Sequence, residues 1–165
     1  NVVFIAMGSA VGIIIGQMLG AGETEKAKKD SISLMWFSGA MCLVLTVILI
    51  ILAPIFPNAY KTTPDVKEYA KTFIIITAIF FPLQGFLNAL YFTLRSGGKT
   101  FITFLFDSMF SWVVGVGTAF VLSHFTNMSI IGIYIGVQLT DIIKVAIGYV
   151  MIQKGIWLSN IVNEN

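Results

Sequence analysis

The chain has 165 residues, of which 57% are hydrophobic and only 11% are charged. About a quarter of the residues in a soluble globular domain are charged, so this composition excludes a water-facing surface and indicates an integral membrane protein. The net charge of +2 is too small to indicate a protein that binds nucleic acid. The lone Cys42 excludes a disulfide framework and a thiolate metal site, and we expect it to be a small buried hydrophobe.

Five apolar stretches are long enough to cross a bilayer, which takes about 20 residues. They are predicted at residues 1–20, 32–56, 69–94, 101–122 and 130–152. The breaks between them are short, so consecutive helices should be antiparallel neighbours. The sequence therefore predicts an all-α integral membrane protein, a five-helix antiparallel transmembrane bundle over residues 1–165. Because Asn1 already lies in an apolar run with no charged region before it, we expect part of a larger membrane protein and no signal peptide.

The first span, GSAVGIIIGQMLG, carries glycines at every fourth position, namely Gly8, Gly12, Gly16 and Gly20. Glycines at this spacing let the backbones of two transmembrane helices approach each other closely. The pattern predicts a tight helix–helix contact and says little about chemistry.

The third span carries a stripe of larger and more polar side chains at alternating spacings of four and three. Its members are Thr77, Phe81, Gln84, Asn88, Tyr91 and Arg95. This spacing places them on one face of a helix. Carboxamides inside a membrane are costly unless they find partners or water, and Pro82 beside the stripe is expected to kink the helix. The stripe predicts either the wall of a substrate-binding cavity or polar contacts that join helices.

The fourth and fifth spans each carry a row of small or polar residues at four-residue spacing. The fourth has Asp107, Ser111, Gly115 and Ala119, and the fifth has Gly132, Gly136, Thr140, Lys144 and Gly148. In an antiparallel hairpin, these rows face each other and pair Ala119 with Gly132, Gly115 with Gly136, Ser111 with Thr140, and Asp107 with Lys144. The two rows of small or polar residues should pack against each other along their whole length.

The charges within these two spans form a predicted cluster of Asp107, Asp141 and Lys144. At about 1.5 Å of rise per residue, Asp107 and Lys144 lie roughly 9 and 12 Å inside the cytoplasmic end. An unpaired charge at that depth costs several kcal/mol, so we predict an Asp107–Lys144 ion pair with Asp141 within reach of the same ammonium. A structural or gating role and direct ion or proton handling both remain open.

Lysine and arginine are unequally divided between the two sides of the predicted bundle. Six lie in the loops after the first and third spans and in the tail, namely Lys26, Lys28, Lys29, Arg95, Lys99 and Lys154; three lie opposite, Lys61, Lys67 and Lys71. The positive-inside rule therefore places the C-terminus in the cytoplasm. Trp157, just after the last span, is predicted to be an anchor at the membrane interface.

No catalytic constellation is evident, so we expect neither an enzyme nor a bound cofactor or metal. The only histidine is His124, in an outer turn. The RSGGKT segment is similar to the end of a phosphate-binding loop, but Thr93 stands where that motif requires glycine.

Several segments resemble multidrug and toxic compound extrusion (MATE) transporters of bacteria. GQMLGAGETEKAKK resembles the family's GQ-x-LGAG signature, and LRSGGKT resembles the loop between its tenth and eleventh helices. FDSMFSW and DIIK are similar to the last two helices of bacterial members. The resemblance covers nearly all of the chain and implies helices eight to twelve of twelve, which is most of the C-terminal lobe.

The resemblance implies export of small cationic, often aromatic compounds across the bacterial plasma membrane, with an N-terminal lobe as partner. Two six-helix lobes would alternate access to a central cavity, driven by Na+ or H+. Gln84 stands where one branch of the family carries an aspartate that takes part in cation coupling, which favours branches with the coupling carboxylate in the other lobe. The alternatives are a flippase for lipid-linked saccharides and a non-transporting membrane scaffold.

Overall fold

A computed structural model describes residues 2–158, apart from the side chain of Thr100; Asn1 and residues 159–165 of the predicted 1–165 unit lie outside the described residues. The described part contains five helices that are long and apolar enough to cross a membrane. They are α1 (Val2–Gly20), α2 (Thr24–Leu52), α3 (Pro64–Ser96), α4 (Phe101–Phe125) and α5 (Ile130–Gln153). The predicted all-α transmembrane bundle is confirmed.

Several helix boundaries differ from the predicted spans. The differences fall in polar segments or next to a proline. α2 and α3 begin several residues before the predicted spans, because a helix continues past its apolar part while hydropathy detects only that part. α2 ends at Leu52, earlier than predicted, just before Pro54. Proline cannot donate the next backbone hydrogen bond, and a 3-10 turn at Phe56–Ala59 follows.

α3 lies at the centre of the bundle and contacts each of the other four helices. Its middle is buried almost all the way round, and the buried residues there include Gly85, Phe86, Leu87, Ala89 and Leu90. The other long helices bury a narrower stripe, such as Thr140, Lys144, Gly148 and Ile152 on α5. α3 therefore has two sides, and each helps to form a separate cavity or groove.

The small residues that bring α2 close to α3 were not singled out from the sequence. A Cβ on Gly85 would clash with Cys42 Sγ and lie 2.9 Å from the Ser38 carbonyl oxygen. Thr46 Oγ1 also donates a 2.8 Å hydrogen bond to the Ala78 carbonyl oxygen across the same interface. Cys42 is fully buried, as expected for a small hydrophobe.

The glycine row of α1 packs closely over its first half only. A Cβ on Gly8 would clash with the Phe92 ring, and Ser96 Oγ donates a 2.9 Å hydrogen bond to the Gly12 carbonyl oxygen. Cβ positions on Gly16 and Gly20 meet no atom within 4 Å among the described residues. The predicted tight contact is thus confirmed against α3 at two of the four glycines.

The predicted match of α4 and α5 along their whole length is wrong. Gly148 is packed, because a Cβ there would lie 2.5 Å from Leu90 Cδ2 and 2.7 Å from Phe106 Cζ. Gly115 has no atom within 4 Å of its Cβ position among the described residues, and it lines an open cleft of about 290 Å³ with Ala119. Two π-helical segments, Leu105–Met109 and Ser111–Val116, interrupt α4 and alter the regular register on which the prediction depended.

Trp157 is not an interfacial anchor, because its side chain is fully buried in the main hydrophobic cluster. Its indole Nε1 donates a 3.4 Å hydrogen bond to the Ile152 carbonyl oxygen. The neighbouring Leu158 forms an antiparallel bridge with Gly98, so the chain after α5 folds back under the α3–α4 loop. The prediction depended only on an aromatic residue that follows a predicted span. This pattern does not distinguish an interfacial side chain from a buried one.

We expect Gly148→Ala to lower the free energy of unfolding by about 1–3 kcal/mol, because the added methyl group overpacks the meeting point of three helices. Gly115→Ala is the matched control on the facing row and should change stability little, since its Cβ points into the cleft. Thermal unfolding of the two purified variants in one detergent makes the comparison. Equal losses in both would contradict the packing described for α4 and α5.

Candidate functional site

Two adjoining cavities lie on one side of α3, bounded by α1, α4 and α5. Their volumes are about 400 and 470 Å³, and Ile5, Gln84 and Asn88 line both. The first cavity includes Thr77, Phe81, Gln84 and Asn88, and the second includes Gln84, Asn88, Tyr91, Asp107, Asp141 and Lys144. All three residues of the predicted charge cluster therefore line one of these two spaces, and so does every member of the α3 stripe except Arg95.

The stripe on α3 also connects helices through hydrogen bonds. Thr77 Oγ1 lies 2.9 Å from the hydroxyl oxygen of Tyr134 on α5. Gln84 Nε2 donates a 2.6 Å hydrogen bond to Asp141 Oδ2 on α5. Asn88 Nδ2 instead donates a 3.0 Å bond to the backbone carbonyl oxygen of Gln84 within α3. Thr77 and Gln84 thus both line a cavity and join helices, whereas Asn88 lines the cavities and bonds within its own helix.

The predicted ion pair between α4 and α5 is present. Lys144 Nζ lies 2.6 Å from Asp107 Oδ1. The same ammonium lies 3.4 Å from Ser111 Oγ and 5.4 Å from the centroid of the Phe106 ring. These groups offset much of the cost of removing the ammonium from water, and the aromatic face adds a cation–π contact.

Asp141, which was predicted to lie within reach of the ammonium, accepts a hydrogen bond from Gln84. Among the described residues, the ion-pair partner of Lys144 is Asp107. The cause is helix geometry: Asp141 lies one turn before Lys144 on α5 and faces α3, and Lys144 faces α4. The charge cluster therefore consists of two linked pairs, Asp107–Lys144 and Asp141–Gln84, on adjacent walls of one cavity.

Sequence reasoning missed several residues of this site. Tyr134 and Gln138 on α5 reach the first cavity or its wall, and Phe4 on α1 packs edge-on against Phe81 with ring centroids 4.8 Å apart. The signal for the α5 residues was available, because Tyr134, Gln138 and Asp141 repeat the four-three spacing seen on α3. Phe4 carried no such signal, since one phenylalanine in an apolar run is usually lipid-facing or buried.

The walls of the two cavities combine polar groups with aromatic rings. Within residues 2–158, no three His, Cys, Asp or Glu side chains come together as a metal site would require. The walls offer carboxylates, carboxamides and hydroxyls beside aromatic rings, which can complement both the charge and the flat apolar surface of an organic cation.

The opposite side of α3 carries a very different surface. An apolar groove of about 660 Å³ lies there between α2, α3 and α5, and its wall includes Trp36, Leu43, Ile79 and Ile142. The side chains of Ile79 and Ile142 are exposed, as expected for positions that face lipid. The polar cavities are therefore confined to one side of the central helix.

We expect a double-mutant cycle with Asp107→Asn and Lys144→Met to give a coupling free energy of about 1–2 kcal/mol, since the two atoms form a direct ion pair. The matched cycle with Asp141→Asn and Lys144→Met should give a clearly smaller value. Thermal unfolding of the purified variants provides the measurement. A coupling free energy near zero for the first cycle would contradict the assignment.

Comparison with known proteins places the chain in a family. The MatE family model matches residues 2–121. The chain is 26% identical over 132 residues to the probable multidrug resistance protein YoeA of Bacillus subtilis, covering 80% of this chain and 28% of that protein. It is 25% identical over 134 residues to the probable multidrug resistance protein NorM of Oceanobacillus iheyensis, covering 81% of this chain and 30% of that protein.

A third relative comes from a mammal, the multidrug and toxin extrusion protein 2 of Oryctolagus cuniculus. The identity is 24% over 147 residues, covering 89% of this chain and 24% of that protein. The chain spans less than a third of the length of these curated relatives. No solved structure matches it significantly. The family model covers most of the chain, and the chain therefore belongs to the MATE family of transporters.

Proposed function

We propose that the chain is part of the C-terminal lobe of a cation-coupled multidrug efflux antiporter of the bacterial plasma membrane. The full protein would export small cationic or aromatic compounds by alternating access between this lobe and an N-terminal lobe. The distribution of lysine and arginine supports a cytoplasmic C-terminus.

The polar cavity inside the membrane-spanning bundle carries this proposal. A helix bundle that only has to be stable in lipid gains nothing from carboxylates and carboxamides around an open space, because each one must be partnered or hydrated. Here Gln84, Asn88 and Tyr91 line the space together with Asp107, whose side chain is 45% exposed. Such a wall can hold a cation that has left water.

The coupling ion, Na+ or H+, is part of the proposal. Gln84 occupies the position of a coupling aspartate in one branch of the family, and its amide donates to Asp141. We infer that the principal coupling carboxylate lies in the other lobe. If this lobe takes part in coupling, Asp141 is the candidate, because its carboxylate accepts from an uncharged amide and has no ion-pair partner among the described residues.

The alternatives receive less support from the geometry. A flippase for lipid-linked saccharides would need a basic cavity for the pyrophosphate, whereas Lys144 is the only basic side chain lining the two cavities in the described part and is paired with Asp107. A scaffold protein would be expected to pack the α3 stripe fully in the full-length protein, so water access to the stripe separates the two functions.

We expect cysteines at Asn88 and Tyr91 to react with a charged, membrane-impermeant methanethiosulfonate reagent in the full-length protein, because an alternating-access cavity admits water. The background is Cys42→Ala, which removes the buried native thiol. Ile79→Cys on the lipid-facing side of the same helix is the matched control and should not react, since the charged reagent does not enter lipid. Absence of labelling at Asn88 and Tyr91 from both sides of the membrane would count against transport.

A further inference from the structure

The two partners of the intramembrane ion pair differ sharply in exposure. The side chain of Asp107 is 45% exposed and that of Lys144 is 10% exposed. Full burial of an ion pair costs the desolvation of both charges, and exposure of the carboxylate to the cavity avoids part of that cost. A cation that enters the cavity therefore meets the exposed Asp107 carboxylate more readily than the Lys144 ammonium.

We propose that Lys144 is a resident counter-cation, which neutralises Asp107 while the cavity is empty and is displaced when an organic monocation binds there. This inference rests on the proposed function and assigns a specificity role to Lys144 within it. The cluster contains two carboxylic acid side chains and one ammonium, so with both acids ionised it carries one negative formal charge, which matches a single monovalent cation. Lys144 and the substrate cation then compete for Asp107.

The surroundings of Lys144 allow it to leave Asp107 without losing every partner. Ser111 Oγ lies 3.4 Å from Nζ, and the Phe106 ring centroid lies 5.4 Å away. Asp141 is one helical turn earlier on the same helix, within the range of neighbouring side chains on a helix face. A lysine also has a long flexible stem and can move its ammonium among these groups while the backbone of α5 stays in place.

Displacement of Lys144 would also loosen the link between α4 and α5. α4 is the least buried of the five helices, and in the described part only Thr103 and Phe106 of this helix are buried. Asp107 itself lies in the π-helical segment Leu105–Met109, and π-helical turns often occur at functional positions. Substrate binding at Asp107 would therefore release the Asp107–Lys144 ion pair that joins α4 to its better-packed neighbour α5.

The competition between Lys144 and a bound cation changes the apparent affinity for that cation. If Lys144 occupies Asp107 about nine-tenths of the time, the apparent affinity for a cation is about tenfold weaker than the affinity for the free carboxylate. Removing the Lys144 ammonium should raise the affinity for cations by this factor of about ten. Neutral ligands do not compete with Lys144 for Asp107 and should not gain this factor.

The test measures equilibrium binding of two ligands to the purified full-length protein. Tetraphenylphosphonium is a lipophilic monocation, and triphenylphosphine oxide is a neutral aromatic probe. We expect Lys144→Met to bind tetraphenylphosphonium about tenfold more tightly and to release it more slowly. We expect Lys144→Arg to bind it more weakly, because a guanidinium can hold the carboxylate through two hydrogen bonds. Binding of triphenylphosphine oxide should not follow these opposite shifts, because a neutral probe does not compete with Lys144 for Asp107.

The outcomes separate this inference from a bracing role and from the proposed function. Equal changes for the cation and the neutral probe, or unchanged cation affinity in both folded variants, would overturn the role of Lys144. If Lys144→Met does not fold, the opposite shift expected for the conservative Lys144→Arg decides the question. Failure of the unaltered protein to bind or export tetraphenylphosphonium would count against the proposed function itself.

Discussion

The absence of water from the bilayer core is the constraint on which the rest of this structure depends. Every buried polar group must find a partner inside the protein. The partners of Lys144 and Asp141 lie on one side of α3. Lys144 contacts Asp107 and Asp141 contacts Gln84, so the two strongest polar contacts within the bundle join α5 to α4 and to α3. The polar cavity is the space left between these contacts.

The central position of α3 organises both sides of the molecule. Close approach of small residues fixes α2 against one side, with Gly85 next to Ser38 and Cys42. On the other side, α1 packs closely at Gly8 and α5 packs closely at Gly148, and polar and aromatic side chains line the space left between the helices. One helix thus supplies a rigid packing surface and the wall of a substrate-sized space, and α4, with few buried residues, is the element least restrained by packing.

Much of the fold and part of the site were predictable because their signals are local. The four-three spacing of Thr77, Phe81, Gln84, Asn88 and Tyr91 requires only helix geometry to become one face. The same spacing on α5 would have revealed Tyr134 and Gln138. Phe4 could not have been predicted in this way, since its contact with Phe81 depends on how α1 rotates against α3, which no short-range pattern records.

The sequence by itself determined the membrane environment, the five helices and the Asp107–Lys144 pair, because composition and hydropathy are local and an unpaired charge inside the membrane requires a partner on a neighbouring helix. Only the tertiary structure decided that Asp141 pairs with Gln84, that Trp157 is buried and that Gly115 lines a cleft. These outcomes depend on the separation and rotation of whole helices. Those quantities arise from packing among residues far apart in the chain, where side-chain volume and the π-helical turns of α4 override simple periodicity.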